Sequence, residues 1–179
     1  PFVWIRMAEE IGIIHDVGDW VLDEACRMML SLRQEGLTLP KVSVNVSALQ
    51  FTERFVERVS DVLGQSQLPP ECLELELTEG IMIDDDEHVV ARVRQLKEMG
   101  VRLSIDDFGT GYSSLSYLSR FPLDELKVDR SFVLGLRQGK RETELVRAII
   151  ALGHGLGLEI VVEGVETADA ILDLAERFG

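Results

Sequence analysis

Short apolar runs alternate with amphipathic helical patterns along almost the whole chain, and this alternation restricts the fold more than any other feature. The runs occupy residues 42–46, 73–77, 102–105, 126–128 and 160–162. Each has the length of a buried strand and is bounded by a helical pattern or a turn-rich loop. Helical periodicity covers residues 18–34, 48–63, 86–99, 142–156 and 167–178. The punctuation agrees: Gly36, Gly100, Gly155 and Gly157 stand where helices should end, and Pro40, Pro69, Pro70 and Pro122 lead into strands. Repeated strand–helix–strand units imply a mostly parallel sheet, either closed as a (β/α) barrel or open and doubly wound. Nothing in a length of 179 residues calls for a second domain, so one unit over residues 1–179 is expected.

The longest apolar runs fall far short of the roughly 20 residues that a membrane span needs, so a soluble chain is expected. The opening residues lack the order of a signal peptide and Pro1 is not an initiator Met, which reads as a segment of something longer. Cys26 and Cys72 make neither a metal-binding spacing nor a disulfide framework, which fits a reducing cytoplasm. With 32 acidic against 18 basic residues the net charge is −14. That balance disfavours a nucleic-acid polymer or an anionic membrane as partner, and a polyanionic substrate would need cations as intermediaries. The acidic stretch at 84–87 reads as the start of a helix, where carboxylates suit the dipole.

In parallel α/β folds the residues at strand C-termini line the active-site mouth. Here those positions carry Asn45; Glu76 and Glu79; Asp106 and Asp107; Lys127 and Asp129; and Glu163 and Glu166. Singly each could cap a helix or join a surface ion pair. Together they would repel one another at one mouth, a cost that bound divalent cations would offset. The donors are all oxygen, which favours Mg2+ or Mn2+ over zinc, while His15, His88 and His154 lie outside the set. Two ions sharing Asp106 would suit phosphodiester cleavage, with Lys127 placing the attacking water or neutralising the phosphate. The alternative of Lys127 as an imine-forming nucleophile is disfavoured, since the carboxylates would keep it protonated. The stretch FGTGYSS at 108–114, which includes Ser113, is a poor match to a dinucleotide-binding glycine loop and reads as a mobile lid beside the metals.

These residues carry a family likeness. P-x-x-x-I-x-x-A-E-E-x-G at 1–12, NVSALQF at 45–51, ELELTEG at 74–80, DDFGTGYSSLSYL from Asp106, LKVDRSFV from Leu126 and VVEGVET from Val161 resemble the EAL domain family. Its members are bacterial phosphodiesterases that linearise cyclic di-GMP to pGpG. The resemblance implies a TIM-like (β/α)8 barrel whose first strand, bearing the E-A-L motif, and last strand fall outside this chain. It implies that Asn45, Glu76 and Asp106 bind one metal and that Asp106, Asp107 and Glu163 bind a second. Lys127 would orient the nucleophilic water, and Glu79 would anchor the glycine-containing loop and couple the site to dimerisation. Gln50, Ser113, Asp129 and Glu166 are the substrate-side candidates. Leu49 departs from the pattern, because many relatives carry Arg there.

The implied partners are cyclic di-GMP, a second copy of the chain, and sensor or diguanylate cyclase domains in the same parent. The implied setting is the cytoplasm, either free or as the cytoplasmic part of a membrane-anchored parent. Without the E-A-L glutamate this segment alone is expected to be inactive. A receptor that binds cyclic di-GMP without cutting it is the competing expectation, and the retained ligand set favours the enzyme.

Overall fold

A computed structural model describes residues 2–83, 87–109, 118–135 and 140–165. Five strands, β1 (Val42–Val46), β2 (Leu73–Thr78), β3 (Arg102–Phe108), β4 (Glu125–Val128) and β5 (Glu159–Val162), form one sheet. Every pairing is parallel and the spatial order equals the chain order. A doubly wound sheet reverses direction at a switch point, whereas a barrel adds each strand beside the last. The order therefore belongs to a TIM-like barrel arc, one of the two arrangements that the alternation alone allowed. Seven helices are described: α1 (Phe2–Glu10), α2 (Ile14–Gln34), α3 (Glu53–Ser66), α4 (Glu79–Ile83), α5 (Glu87–Glu98), α6 (Arg130–Gly135) and α7 (Lys140–Gly155). None of the described helices is long and apolar enough to cross a membrane.

Each strand has one apolar and one polar face because successive side chains alternate. Leu73, Leu75 and Leu77 of β2, Leu103 and Ile105 of β3, and Leu126 and Val128 of β4 are wholly buried. They share one core with Leu22 and Met29 of α2, Phe55 and Val59 of α3, and Val93 and Leu96 of α5. Phe55, Val56, Val59, Val62 and Leu63 form the buried stripe of α3 at helical spacing. The opposite face of the sheet is polar. Register sets Ser43 beside Glu74 and Asn45 beside Glu76, Glu76 beside Ser104 and Thr78 beside Asp106, and Ser104 beside Glu125.

Ion pairs across that polar face show that the sheet is curved. The Lys41 ammonium, just before β1, lies 2.6 Å from Glu74 Oε2 of β2 and also pairs with Glu125 of β4. In a flat sheet β1 and β4 would stand about 14 Å apart, too far for side chains perpendicular to the sheet to meet. Ser43 Oγ donates to Glu74 Oε1 at 2.8 Å, and Arg102 of β3 reaches Glu159 of β5 at 2.6 Å. The N-terminal ends of all five strands are thus tied together on the concave side.

Several local expectations change. Helix α1 and the first turn of α2 carry apolar residues on the outward side as well, with Trp4, Ile5, Met7 and Val17 exposed. That blurs the one-sided periodicity from which helices are read. Residues 48–50 form a turn instead of the start of a helix. The Gln50 N–H donates to Ser47 O at 2.9 Å, and α3 begins only after Thr52, whose backbone is extended. Gly18 lies inside α2, not at its start. Strand β3 runs on through both aspartates to Phe108. The helix expected at 167–178 lies outside the described residues, as do 84–86 and 110–117.

Lys41→Met leaves Glu74 and Glu125 as buried charges without their shared ammonium, and removing one partner of a buried pair costs about 3–5 kcal/mol. Urea denaturation should show a loss of that order, with Lys41→Arg recovering a substantial part of it.

Candidate functional site

At the C-terminal ends of the strands a second ammonium gathers carboxylates from three elements. Lys127 Nζ of β4 lies 3.0 Å from Glu76 Oε1 of β2, 3.3 Å from Asp106 Oδ1 of β3 and 2.6 Å from Glu163 Oε1 just beyond β5. Burial opposes the charge on Lys127. Its bonds to Glu163 and Glu76 and the field of Asp106 outweigh that penalty and hold its pKa above the usual lysine value. Those surroundings favour the charged form, which disfavours Lys127 as an imine-forming nucleophile or a general base and suits it as a donor.

Asp106 and Asp107 would face opposite sides of a regular strand. The β3–β4 register shifts between Ile105 and Phe108, and Asp107 adopts a left-handed φ of 54°. Aspartate is among the few non-glycine residues that tolerate this conformation. Desolvation raises the Asp107 pKa, and the charges of Asp106, Asp129 and Glu163 raise it further, against the lowering effect of Lys127. The bulge thus leaves both aspartates in one electrostatic neighbourhood. Glu76 is raised too, by burial first and then by Asp106 and Glu74, although its bond to Lys127 pulls the other way.

Glu79 opens α4 directly after β2 and is buried. Its Oε2 accepts the N–H of Gly109 at 3.2 Å, so it grips the first residue after β3. Asn45 sits at the exposed C-terminal part of β1, in register with Glu76. Asp129 accepts the Ser131 N–H at 3.0 Å and so caps α6; burial opposes its charge, but the bonds to Ser131 and Arg130 lower its pKa. Gln50 is buried, and its Oε1 accepts the Ser47 N–H at 3.2 Å. Its amide packs so closely on Gly18 that a methyl group there would meet Nε2 at 1.6 Å. Ser113 and Glu166 lie outside the described residues.

Two participants escaped the sequence reading. Gly18 was read only as the first residue of a helical pattern, whereas it makes room for Gln50. Glu9 stands in the A-E-E stretch with no chemistry to mark it, yet it accepts from Ser47 Oγ at 2.5 Å and ties α1 to the turn after β1.

Among the described residues, no three acidic, imidazole or thiol side chains converge as a ready-made ion site. The ammonium of Lys127 stands among the carboxylates instead. The donor set nevertheless fits a hard divalent cation. Three carboxylates, Glu76, Asp106 and Glu163, meet a single lysine at the strand ends, with Asp107 in their field and the amide of Asn45 in register beside Glu76. Asp106 Oδ1 is buried and, although 3.3 Å from Lys127, makes no hydrogen bond. A buried carboxylate oxygen that makes no hydrogen bond, beside excess negative charge, is what oxygen-seeking cations bind.

A sequence model described as the EAL domain matches residues 1–177. The chain is 46% identical over 180 residues to the bifunctional diguanylate cyclase/cyclic di-GMP phosphodiesterase MucR of Pseudomonas aeruginosa, covering 100% of this chain and 26% of that protein. It is 44% identical over 178 residues to the cyclic di-GMP phosphodiesterase NbdA of the same organism, covering 99% and 23%. The structure of the MucR phosphodiesterase in complex with c-di-GMP superimposes with a TM-score of 0.93 at 44% identity, over 99% of this chain and 72% of that one. The EAL domain of Mycobacterium smegmatis DcpA gives a TM-score of 0.85 at 40% identity, over 93% and 75%. The chain spans about a quarter of the length of these curated relatives.

A carboxyl with a raised folded pKa contributes stability that is full below its ordinary value and lost as pH rises through the raised one. Metal-free protein should therefore lose stability from this site as pH climbs out of the acid range, whereas Asp107→Asn, uncharged and at ease with a left-handed φ, should escape part of that loss. At neutral pH its melting midpoint should rise by roughly 1–3 °C while Mn2+ binding weakens, both readable by calorimetry.

Proposed function

The chain belongs to the EAL domain family, and from that premise we propose that it hydrolyses cyclic di-GMP to linear pGpG within a larger bacterial signalling protein. The observation that carries the reading is the convergence of Glu76, Asp106 and Glu163 on Lys127 at the strand C-termini. EAL phosphodiesterases are metal-dependent. In this chain Asn45, Glu76 and Asp106 would hold one ion and Asp106, Asp107 and Glu163 a second, with Mg2+ or Mn2+ as the cations. Bound there, they would supply Lewis acidity toward the phosphate and lower the pKa of water.

The chain's own residues then divide the remaining tasks. Water attacks one phosphorus, the opposite P–O3′ bond breaks, and the product keeps a 5′-phosphate on one guanosine and a free 3′-hydroxyl on the other. Lys127, as an ammonium, donates to the water or to a phosphate oxygen and fixes its approach. The water gives up a proton as it attacks and the departing O3′ takes one up from solvent to become the hydroxyl, so one water is consumed per bond cut. Glu79 keeps the segment after Asp107 in place through Gly109. Gln50 supports the turn after β1, and Asp129, Ser113 and Glu166 are substrate-side candidates. The domain would act in the cytoplasm as a homodimer, with sensor or diguanylate cyclase domains in the same chain.

The test is hydrolysis of cyclic di-GMP by the full-length parent with Mg2+ or Mn2+. Metal-dependent pGpG should form, and Asp106→Ala and Lys127→Ala should each lower kcat by about 10²–10³-fold. Tight binding without turnover by the unsubstituted protein would move the chain to a receptor role.

A further inference from the structure

The segments that leave β3 and β5 press on the same short helix. A β-carbon at Gly109 would fall 2.7 Å from Phe132 Cζ and 3.0 Å from Cε2, with Ile149 Cδ1 at 3.6 Å. A β-carbon at Gly164 would fall 2.5 Å from Arg130 Cβ. Both glycines have a positive φ, +93° and +76°. The first residue of α6 therefore lies against the segment after β5, and its third lies against the segment after β3.

Those two segments carry the ligand candidates. Gly109 is two residues past Asp107 and is held from the other side by Glu79. Gly164 directly follows Glu163, whose N–H donates to Val128 O at 3.0 Å and whose carboxylate meets Lys127. Helix α6 is fixed in turn to the end of β4: Asp129 caps Ser131, and the Phe132 N–H donates to Asp129 O at 3.1 Å. Phe132 is half-buried against the core, with its ring over a glycine that leaves no slack. Between close-packed surfaces of this kind a displacement is passed on instead of absorbed.

We propose that Phe132 is a positioning residue: seated on Gly109, its ring sets the spacing between the Asp106–Asp107 carboxylates and Glu163 and so sets how tightly the site holds a divalent cation. Removing the ring opens space beside Gly109 and Ile149 into which the segment after β3 can move, drawing Asp107 away from Glu163. Adding a methyl group at Gly109 pushes the same joint the opposite way. The proposal rests on the metal-dependent reading of the site, but it does not require turnover.

The experiment uses the full-length parent and titrates Mn2+, followed by the electron paramagnetic resonance of the free ion. Phe132→Ala should weaken Mn2+ binding about tenfold, the scale seen when a group supporting a metal ligand is removed, and Phe132→Leu should recover most of it. Gly109→Ala should also weaken binding, and Gly109→Ala/Phe132→Ala should be less impaired than the product of the two single effects, because the missing ring admits the methyl group. In assays, the Mn2+ concentration for half-maximal rate should rise while the KM for cyclic di-GMP stays within about twofold. Wild-type Mn2+ affinity in a folded Phe132→Ala protein, or in Gly109→Ala with Phe132 intact should Phe132→Ala not fold, overturns the proposal. Strict multiplicativity of the two single effects overturns it as well. A parent that binds Mn2+ but leaves cyclic di-GMP uncut defeats the hydrolase reading alone, and the Mn2+ affinities still decide the role of Phe132.

Discussion

Two ammonium groups, one at each end of the strands, hold the polar face of the sheet together. Lys41 joins carboxylates from β2 and β4, and Lys127 joins carboxylates from β2, β3 and the segment after β5. Neither set consists only of neighbouring strands, so each lysine fixes curvature as well as charge. Glu74 and Glu76 are two residues apart on one strand face, as are Glu125 and Lys127, which puts the two clusters about 7 Å apart along the strands. At that distance they sense each other: Glu74 is among the groups that raise the pKa of Glu76. Buried ion pairs are poor sources of net stability, because desolvation consumes most of the attraction. Their value here is geometric, since only one curvature satisfies both lysines.

The mouth of the arc trades backbone ease for chemistry. A regular β3 would send Asp107 to the apolar face, among the residues that pack against the helices. The bulge and left-handed φ avoid that at a strain of about 1–2 kcal/mol. Burying carboxylates adds a further penalty, visible in the raised pKa values of Glu76 and Asp107. The fully buried leucines of β2 and their partners on β3 and β4 hold the strands rigid enough to carry both costs.

How much of this was legible depended on the range of the interaction that mattered. All five strands were readable because each is a run of apolar residues framed by turns, and the site candidates were chosen because strand C-termini are where a parallel α/β fold places its chemistry; Glu76, Asp106, Lys127 and Glu163 of that set do come together. Helix α1 was not, since Trp4 and Met7 face outward and spoil its periodicity. The turn at 48–50 was read as helix because side-chain capping by Gln50 leaves no periodic trace. Periodicity alone left a barrel and a doubly wound sheet open; the motifs that resemble the EAL family implied the barrel, and the strand order agrees with it. The Lys41 cluster was invisible because its partners lie 33 and 84 residues away, and nothing local distinguishes Lys41 from a solvated lysine.

Chain order and spatial order being identical has a consequence for how the molecule is built. Each strand pairs only with the one made just before it, so every new strand and helix can dock on a template already present as synthesis proceeds. The pairings between strands are short in sequence, which favours rapid growth of the arc. The Lys41–Glu125 contact reaches furthest along the chain of the described ion pairs across this face, and it must wait until β4 has arrived. Until then Lys41 can neutralise only Glu74, and the sheet has no fixed radius. Closure of that pair bends the growing ribbon at the Lys41 end, and the mouth at the other end waits until Glu163 reaches Lys127.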